Sequence, residues 1–263
     1  MKIFIDVGSH YGETLNEITK KEYGFDKIFS IEPSKKCIPI LSKYNDKRIK
    51  LINAAFGNCN KVGKLYSSGE LGASIFSNNS DLTFEKINII NTSQWFNENI
   101  KVGDIVFVKL NCEGAECDII DDLINSNEII KIYSLLITFD VRDFIYLKHR
   151  EIQTRKRLKG TKLSNYCFSD DVMIGDTHEN RIRFWLQLFG AEYNTDLDSL
   201  KNEYKNKQKY YANKTGYFYR LENKVKSLIN YNSFPEKIKK IFRFFKKIYF
   251  KIYLKNKRFK NYK

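Results

Sequence analysis

No run of apolar residues in this chain approaches the length of about 20 that a helix needs to cross a bilayer, which excludes an integral helical membrane protein. Cysteines are few and odd in number. Cys37, Cys59, Cys112, Cys117 and Cys167 show no paired spacing, which argues against a disulfide framework and for free thiols in a reducing compartment. The N-terminus carries no pattern of a secretory leader: a strand-like run starts at Lys2 and an acid stands at position 6, so the expected location is the cytosol. The three histidines, His10, His149 and His178, are scattered, and Cys112 and Cys117 complete no ligand pattern, so no transition-metal site is legible. Internal repeats and recognisable RNA-binding modules are also absent. Acidic residues run short at one end only. Residues 1–192 hold 26 Lys+Arg against 26 Asp+Glu, whereas residues 193–263 hold 20 against 5, so the tail supplies the whole net charge of +15. The basic balance describes that tail and not the rest of the chain.

A length of 263 residues suits one well-buried α/β domain with an appendage. Strand-like and helix-like segments alternate over residues 1–192, the pattern of a parallel sheet flanked by helices. Strands are predicted at 3–7, 27–31, 49–56, 62–67, 87–92, 104–110 and 132–139. Helices are predicted after Gly12, from the N-cap Ser34 to Tyr44, at 94–98, 115–124 and 150–158, and at 178–189 with Gly190 as the stop.

The chemistry starts at residues 3–14. The apolar run Ile3-Phe4-Ile5 ends in Asp6, turns through Gly8 and Gly12, and enters a helical segment. Such a turn lets backbone approach a ligand closely and offers the N–H groups of a helix start. Glu32, 24 residues after Gly8, closes the next strand, where an acid commonly grips ribose hydroxyls in Rossmann-like folds. The nicotinamide fingerprint Gly-x-Gly-x-x-Gly is missing. A third element, Val108-Lys109-Leu110-Asn111-Cys112-Glu113-Gly114-Ala115-Glu116, closes the best candidate for a central strand, and strand ends are where open α/β sheets bind ligands.

Taken together, the chain resembles the FkbM-type family of S-adenosylmethionine-dependent methyltransferases. The matching pieces are Asp6 to Thr14, Ile31-Glu32-Pro33, Asn53 to Gly57, Gly72 to Ile75 and Lys109 to Glu116; they cover about residues 1–140 well and 141–192 loosely. The resemblance implies a class I methyltransferase fold with a seven-stranded, mostly parallel sheet, S-adenosylmethionine as cofactor, and methylation of a hydroxyl, often on a sugar. It places Asp6, Gly8, Ser9, His10, Gly12, Thr14, Glu32, Ala55, Phe56 and Asn111 around the cofactor. Two positions depart from the family: Asn111 stands where Asp is usual and His10 where Asn is usual. An amide is neither a carboxylate base nor a strong metal ligand. A neutral sugar hydroxyl is a poor nucleophile, so a nearby base should help. Glu113 is the first candidate, followed by Asp140 and His10. Glu116 reads as a first-turn acid favoured by the helix dipole.

The domain boundary is set at 1–192 and 193–263. Ser233-Phe234-Pro235-Glu236 forms a capping box. From there, residues 234–254 place Ile238, Ile241, Phe242, Phe245, Ile248, Tyr249 and Ile252 on one face, with lysines mostly on the other. This basic amphipathic helix suits an anionic membrane surface, with nucleic-acid binding or a solvated segment as alternatives. The expectation is therefore a cytoplasmic O-methyltransferase of a glycan or glycolipid precursor, held at the inner face of the membrane. A methyltransferase of RNA or of a soluble small molecule, and a non-catalytic adaptor, are the competing readings.

Overall fold

In the computed structural model, residues 1–70, 72–77, 83–141, 144, 146–169, 177–190, 202 and 206 are described. The chain divides into two compact units, Met1–Tyr204 and Lys205–Lys263, and the description that follows concerns the first. The expected helix at 234–254 lies outside the described residues.

Among the described residues the strands are β1 (Lys2–Val7), β2 (Lys27–Ile31), β3 (Ile49–Ile52), β4 (Ala55–Gly57), β5 (Lys61–Tyr66), β6 (Phe84–Asn91), β7 (Ile105–Leu110), β8 (Ile132–Ile137) and β9 (Tyr166–Phe168). The helices are α1 (Leu15–Ile18), α2 (Ile38–Leu41), α3 (Thr92–Asn99), α4 (Glu116–Asn125), α5 (Lys148–Lys159) and α6 (His178–Leu188). Six strands form one sheet in the order β3-β2-β1-β7-β8-β9, and every pairing in it is parallel. Six of the seven strands implied by the resemblance are thus present among the described residues.

Both faces of this sheet are covered, as the apolar runs of its strands require. Ile3, Ile5, Val7, Val106, Val108, Leu110, Leu135 and Ile137 pack on one side with Phe96 of α3 and Ile119, Ile120 and Leu123 of α4. The alternate positions Phe4, Phe107 and Leu136 pack on the other with Leu15 and Ile18 of α1 and Ile182, Trp185 and Leu186 of α6. The two-residue period of the strands therefore sorts each side chain to a layer. Asp6 and Lys109 belong, by the same alternation, to the layer of α1 and α6.

Three elements differ from the expected outline, the first being β9, a short edge strand at Tyr166–Phe168 where none is expected. The strand at 49–56 breaks at Asn53, whose side-chain amide donates to the carbonyls of Glu32 and Pro33, both at 3.0 Å. Ala55 then leads β4 into a second sheet, ordered β4-β6-β5. The helix expected at 34–44 is reduced to the four residues of α2. Pro39 lies in its first turn, and a helix begun at Ser34 would have driven the proline ring against the carbonyl of Lys35. The remaining helices lie close to their expected places. Asn91 caps α3 by accepting from the Gln94 N–H at 2.7 Å, and Thr177 caps α6 through Asn180 at 3.2 Å. No helix among the described residues is long and apolar enough to cross a membrane.

Candidate active site

The strand order reverses between β1 and β7, and a crevice opens beyond the carboxyl ends of these strands. Here lies a cleft with about 700 Å³ of atom-free space, part of it open solvent. Gly8, His10, Glu32, Ala55, Phe56, Asn111 and Glu113 line it, joined by Leu65 of β5 and, from the segment after it, by Gly69, Glu70, Gly72, Ala73 and Ile75. Residues from three separate sequence elements therefore meet in one place, as the order of the motifs suggested.

Among the described glycines, Gly8 leaves the least room for a side chain. Its φ is +80°, and a Cβ there would lie 1.9 Å from the carbonyl oxygen of Asn111. No side chain can be accommodated, so the turn and the end of β7 touch through bare backbone. Gly12, at φ +93°, gives way in the same manner to the Tyr44 ring, whose hydroxyl donates to the Gly12 carbonyl at 2.9 Å.

The turn departs from expectation in what it offers a ligand. The N–H groups of Gly8 and Ser9 both donate to the carbonyl of Ile31 (3.0 and 3.2 Å), that of His10 to Glu32 (2.9 Å), and that of Gly12 to the Ser9 carbonyl (2.8 Å). These donors are used within the protein, and α1 begins only at Leu15 and spans four residues. The turn supplies room for a ligand rather than a helix N-terminus.

Glu32 is 6% exposed. One carboxylate oxygen accepts the His10 N–H at 2.9 Å and the other the Ser34 N–H at 2.8 Å. Burial raises its pKa above the usual carboxylate value, opposed by these two N–H bonds. Each oxygen keeps a second lone pair, so the group can also accept from a ligand's hydroxyls. Ala55 and Phe56 form the wall beyond it; the Phe56 ring is buried against Trp95 at 5.1 Å between centroids.

Glu113 has φ +54°, its carbonyl accepts the Ser74 hydroxyl, and its side chain is half-buried at the cleft. The loop that carries it wraps around Glu116. One Glu116 oxygen accepts the N–H groups of Gly114 (3.0 Å) and Cys112 (3.2 Å). Glu116 is fully buried, and that burial raises its carboxyl to about 7, against the effect of these N–H bonds. Its role is thus more specific than a first-turn acid complementing a dipole: it is the core around which the Glu113 loop folds.

His10 lies beside Glu32 in a left-handed conformation, φ +47°, with Nδ1 2.9 Å from Glu13 Oε1 and its ring against Tyr11. The other predicted residues stand behind the cleft surface or away from its lining. Ser9 donates to the Asp6 carbonyl at 3.1 Å and receives a bond from Ser30 at 2.8 Å. Thr14 Oγ1 is 2.8 Å from His178 Nε2. Asp140 is not among the residues lining the cleft. Asp6 is fully buried, with one oxygen 2.9 Å from the Lys109 ammonium.

Two groups stand behind the turn that no sequence motif singles out: Lys109, against Asp6 and Gly8, and His178, against Thr14. The available signal for Lys109 was a cation within the apolar run Ile105–Leu110 of a strand covered on both faces, which requires a buried counter-charge. His178 is held well below its usual value, at about 4, by burial and then by the charge of Lys109, so its imidazole is neutral at pH 7.

A parallel sheet in this order, with a glycine turn and a buried acid closing its first two strands, defines a Rossmann-like domain of the class I methyltransferase type. The chain belongs to the FkbM methyltransferase family: the sequence model described as Methyltransferase FkbM domain matches residues 6–166. The crystal structure of methyltransferase FkbM from Methylobacillus flagellatus KT, at 2.20 Å resolution, is similar with a TM-score of 0.40 and 19% identity. That match covers 60% of this chain and 37% of the other, so the chain spans well under half of that relative's length. A comparison with curated proteins gave no match.

Proposed function

We propose that the chain is an S-adenosylmethionine-dependent O-methyltransferase that methylates a sugar hydroxyl of a glycan or glycolipid precursor. The observation that carries this reading is Glu32: a buried carboxylate at the end of β2, pinned by one backbone N–H on each oxygen, with acceptor capacity left at the cleft. The residues present fit the cofactor. Gly8 lets the turn close directly on the end of β7 at the cleft lining, Glu32 would hold the ribose hydroxyls, and Ala55 with Phe56 would flank the adenine.

When bound, S-adenosylmethionine supplies an already activated methyl group. The protein's task is then alignment and proton removal. Glu113 would accept the proton of the acceptor hydroxyl on a carboxylate oxygen, with its loop held by Glu116 and by the Ser74 bond to its own carbonyl. The enzyme would work in the cytoplasm. Its tail, with 20 Lys+Arg against 5 Asp+Glu and an apolar face over 234–254, would bring it to the anionic inner surface of a membrane, where lipid-linked acceptors are found.

The test is calorimetric titration with S-adenosylmethionine, followed by methyl transfer from labelled cofactor to extracted glycolipid and, in parallel, to RNA. Binding with label in the glycolipid is the expected result. Label in RNA alone would replace the acceptor class, and the absence of cofactor binding would leave the adaptor reading. Glu113→Gln should bind cofactor and lose turnover at least tenfold; near-normal turnover would remove Glu113 as the base. Deletion of 233–263 should abolish co-sedimentation with vesicles containing anionic lipid, and unchanged sedimentation would refute the membrane role.

A further inference from the structure

Beneath the cofactor turn lies a buried ion pair that the reaction as described leaves unused. Asp6 and Lys109 are register partners on the paired strands β1 and β7, and both side chains are buried, at 0% and 3% exposure. Their closest charged atoms are 2.9 Å apart. A counter-ion would need no more than this contact, yet the Lys109 ammonium also donates to the carbonyl of Gly8 at 2.8 Å.

That second bond falls on the residue where backbone approaches the cleft. Gly8 is the most permissive residue type, held here at φ +80°, and nothing in its own side chain restricts the peptide on either side. Two neighbouring strand ends provide the restraint. The Gly8–Ser9 peptide is tied through its N–H, on Ser9, to the Ile31 carbonyl at the end of β2, and through its carbonyl, on Gly8, to Lys109 on β7. The adjoining peptide is tied as well, since the Asn111 N–H donates to the Val7 carbonyl at 3.1 Å. Without the lysine, the Gly8–Ser9 peptide would be held on one side only. Its carbonyl could then rotate from behind the turn into the space beside Glu32.

We infer that Lys109 is a positioning residue for cofactor binding, which fixes the Gly8–Ser9 peptide in the orientation that keeps the cleft open, and that Asp6 holds this lysine in place. The inference rests on the reading of the cleft as an S-adenosylmethionine site. It touches no reacting atom, so its signature is in binding and not in the protonation chemistry of the acceptor.

The experiment compares four forms of the full chain by calorimetric titration with S-adenosylmethionine and with S-adenosylhomocysteine. Asp6→Asn keeps the lysine and its bond to Gly8, with a side-chain oxygen of the same reach left beside the ammonium; its affinity for both ligands should stay within threefold of wild type. Asp6→Asn combined with Lys109→Met removes the pair without stranding a buried charge, and should weaken both ligands at least tenfold. A thermal melt accompanies each titration, as does that of Ser134→Ala. The last variant deprives the buried Trp185 indole of its acceptor at 2.9 Å in the core, and its binding should match wild type at a similarly lowered melting temperature. If the double variant does not fold, Asp6→Val with Lys109→Met, an apolar replacement of the pair, takes its place.

Double-variant affinity within threefold of wild type would reduce Lys109 to a counter-ion and overturn the inference. So would an equal loss of affinity in Ser134→Ala. If wild type itself binds neither ligand, the cofactor reading fails instead, and that outcome is distinct from the others.

Discussion

Replacing Gly8 with alanine tests the close approach on which the site depends. Two costs follow from its position. A φ of +80° is unfavourable for any residue with a Cβ, by about 1–2 kcal/mol. The new Cβ would also sit 1.9 Å from the Asn111 oxygen and 2.9 Å from its carbonyl carbon, both backbone atoms at the end of a buried strand. Backbone cannot swing aside as a side chain does, so the overlap forces the turn and β7 apart, an overpacking cost of about 1–3 kcal/mol. The sum is about 2–5 kcal/mol, against a stability of about 5–15 kcal/mol for an ordinary domain. Gly24 provides the control. Its φ is +61°, and a Cβ there meets nothing within 4 Å, so alanine at that position carries the conformational cost alone. Urea unfolding of the two variants should therefore separate them by about 1–3 kcal/mol at equal m-values. Titration with S-adenosylmethionine should show lost affinity for Gly8→Ala and none lost for Gly24→Ala. Equal destabilisation of the two, or wild-type cofactor affinity in Gly8→Ala, would refute the argument that bare backbone contact shapes the cleft.

Glu32→Gln should lower cofactor affinity at least tenfold and stability by about 1–3 kcal/mol, because its amide turns a donor toward the N–H of His10 or Ser34; titration and urea unfolding check both, and unchanged affinity would remove Glu32 from the site. Two buried groups should give opposing pH slopes. The Glu116 carboxyl, raised from 4.5 to about 7, holds a proton in the folded chain that the unfolded chain has released, so its contribution falls as pH rises through that window. The His178 imidazole, lowered from 6.5 to about 4, refuses a proton that the unfolded chain takes up, so its contribution falls as pH drops through that window. Relative to wild type, Glu116→Gln should gain stability with rising pH, and His178→Gln should lose it, each by up to about 3 kcal/mol over its window. Urea unfolding from pH 4 to 7.5 measures this, and profiles parallel to wild type would refute both assignments.

The sequence displayed the cleft because parallel strands buried on both faces read as apolar runs, and their ends carry the residues that break such runs. Asp6, Gly8, Glu32 and the segment after Leu110 are all breaks of this kind, and the topology gathers them at one edge. The outline failed where a residue acts at a distance in the chain. Asn53 splits a strand because its amide satisfies two carbonyls 20 and 21 residues earlier, and no local propensity signals that. Pro39 was legible and should have shortened the second helix, since the rule that admits proline only to a first turn needs no tertiary information. His178 meets Thr14 across 164 residues, a contact that only the packing of α6 against α1 creates.

Lys109 lies between these cases. Its partner, Asp6, is 103 residues away and cannot be found by spacing, yet the need for a partner was visible in the strand itself. A lysine one residue before the end of a central, doubly covered strand must find an anion at the same depth on an adjacent strand, and the acid closing β1 stands at that depth. The same constraint explains why Asp6 is buried behind the turn instead of facing the cleft. Its carboxylate is committed to the cation that holds the Gly8 carbonyl, so the first acid of the motif acts on the turn while the second, Glu32, faces the ligand space.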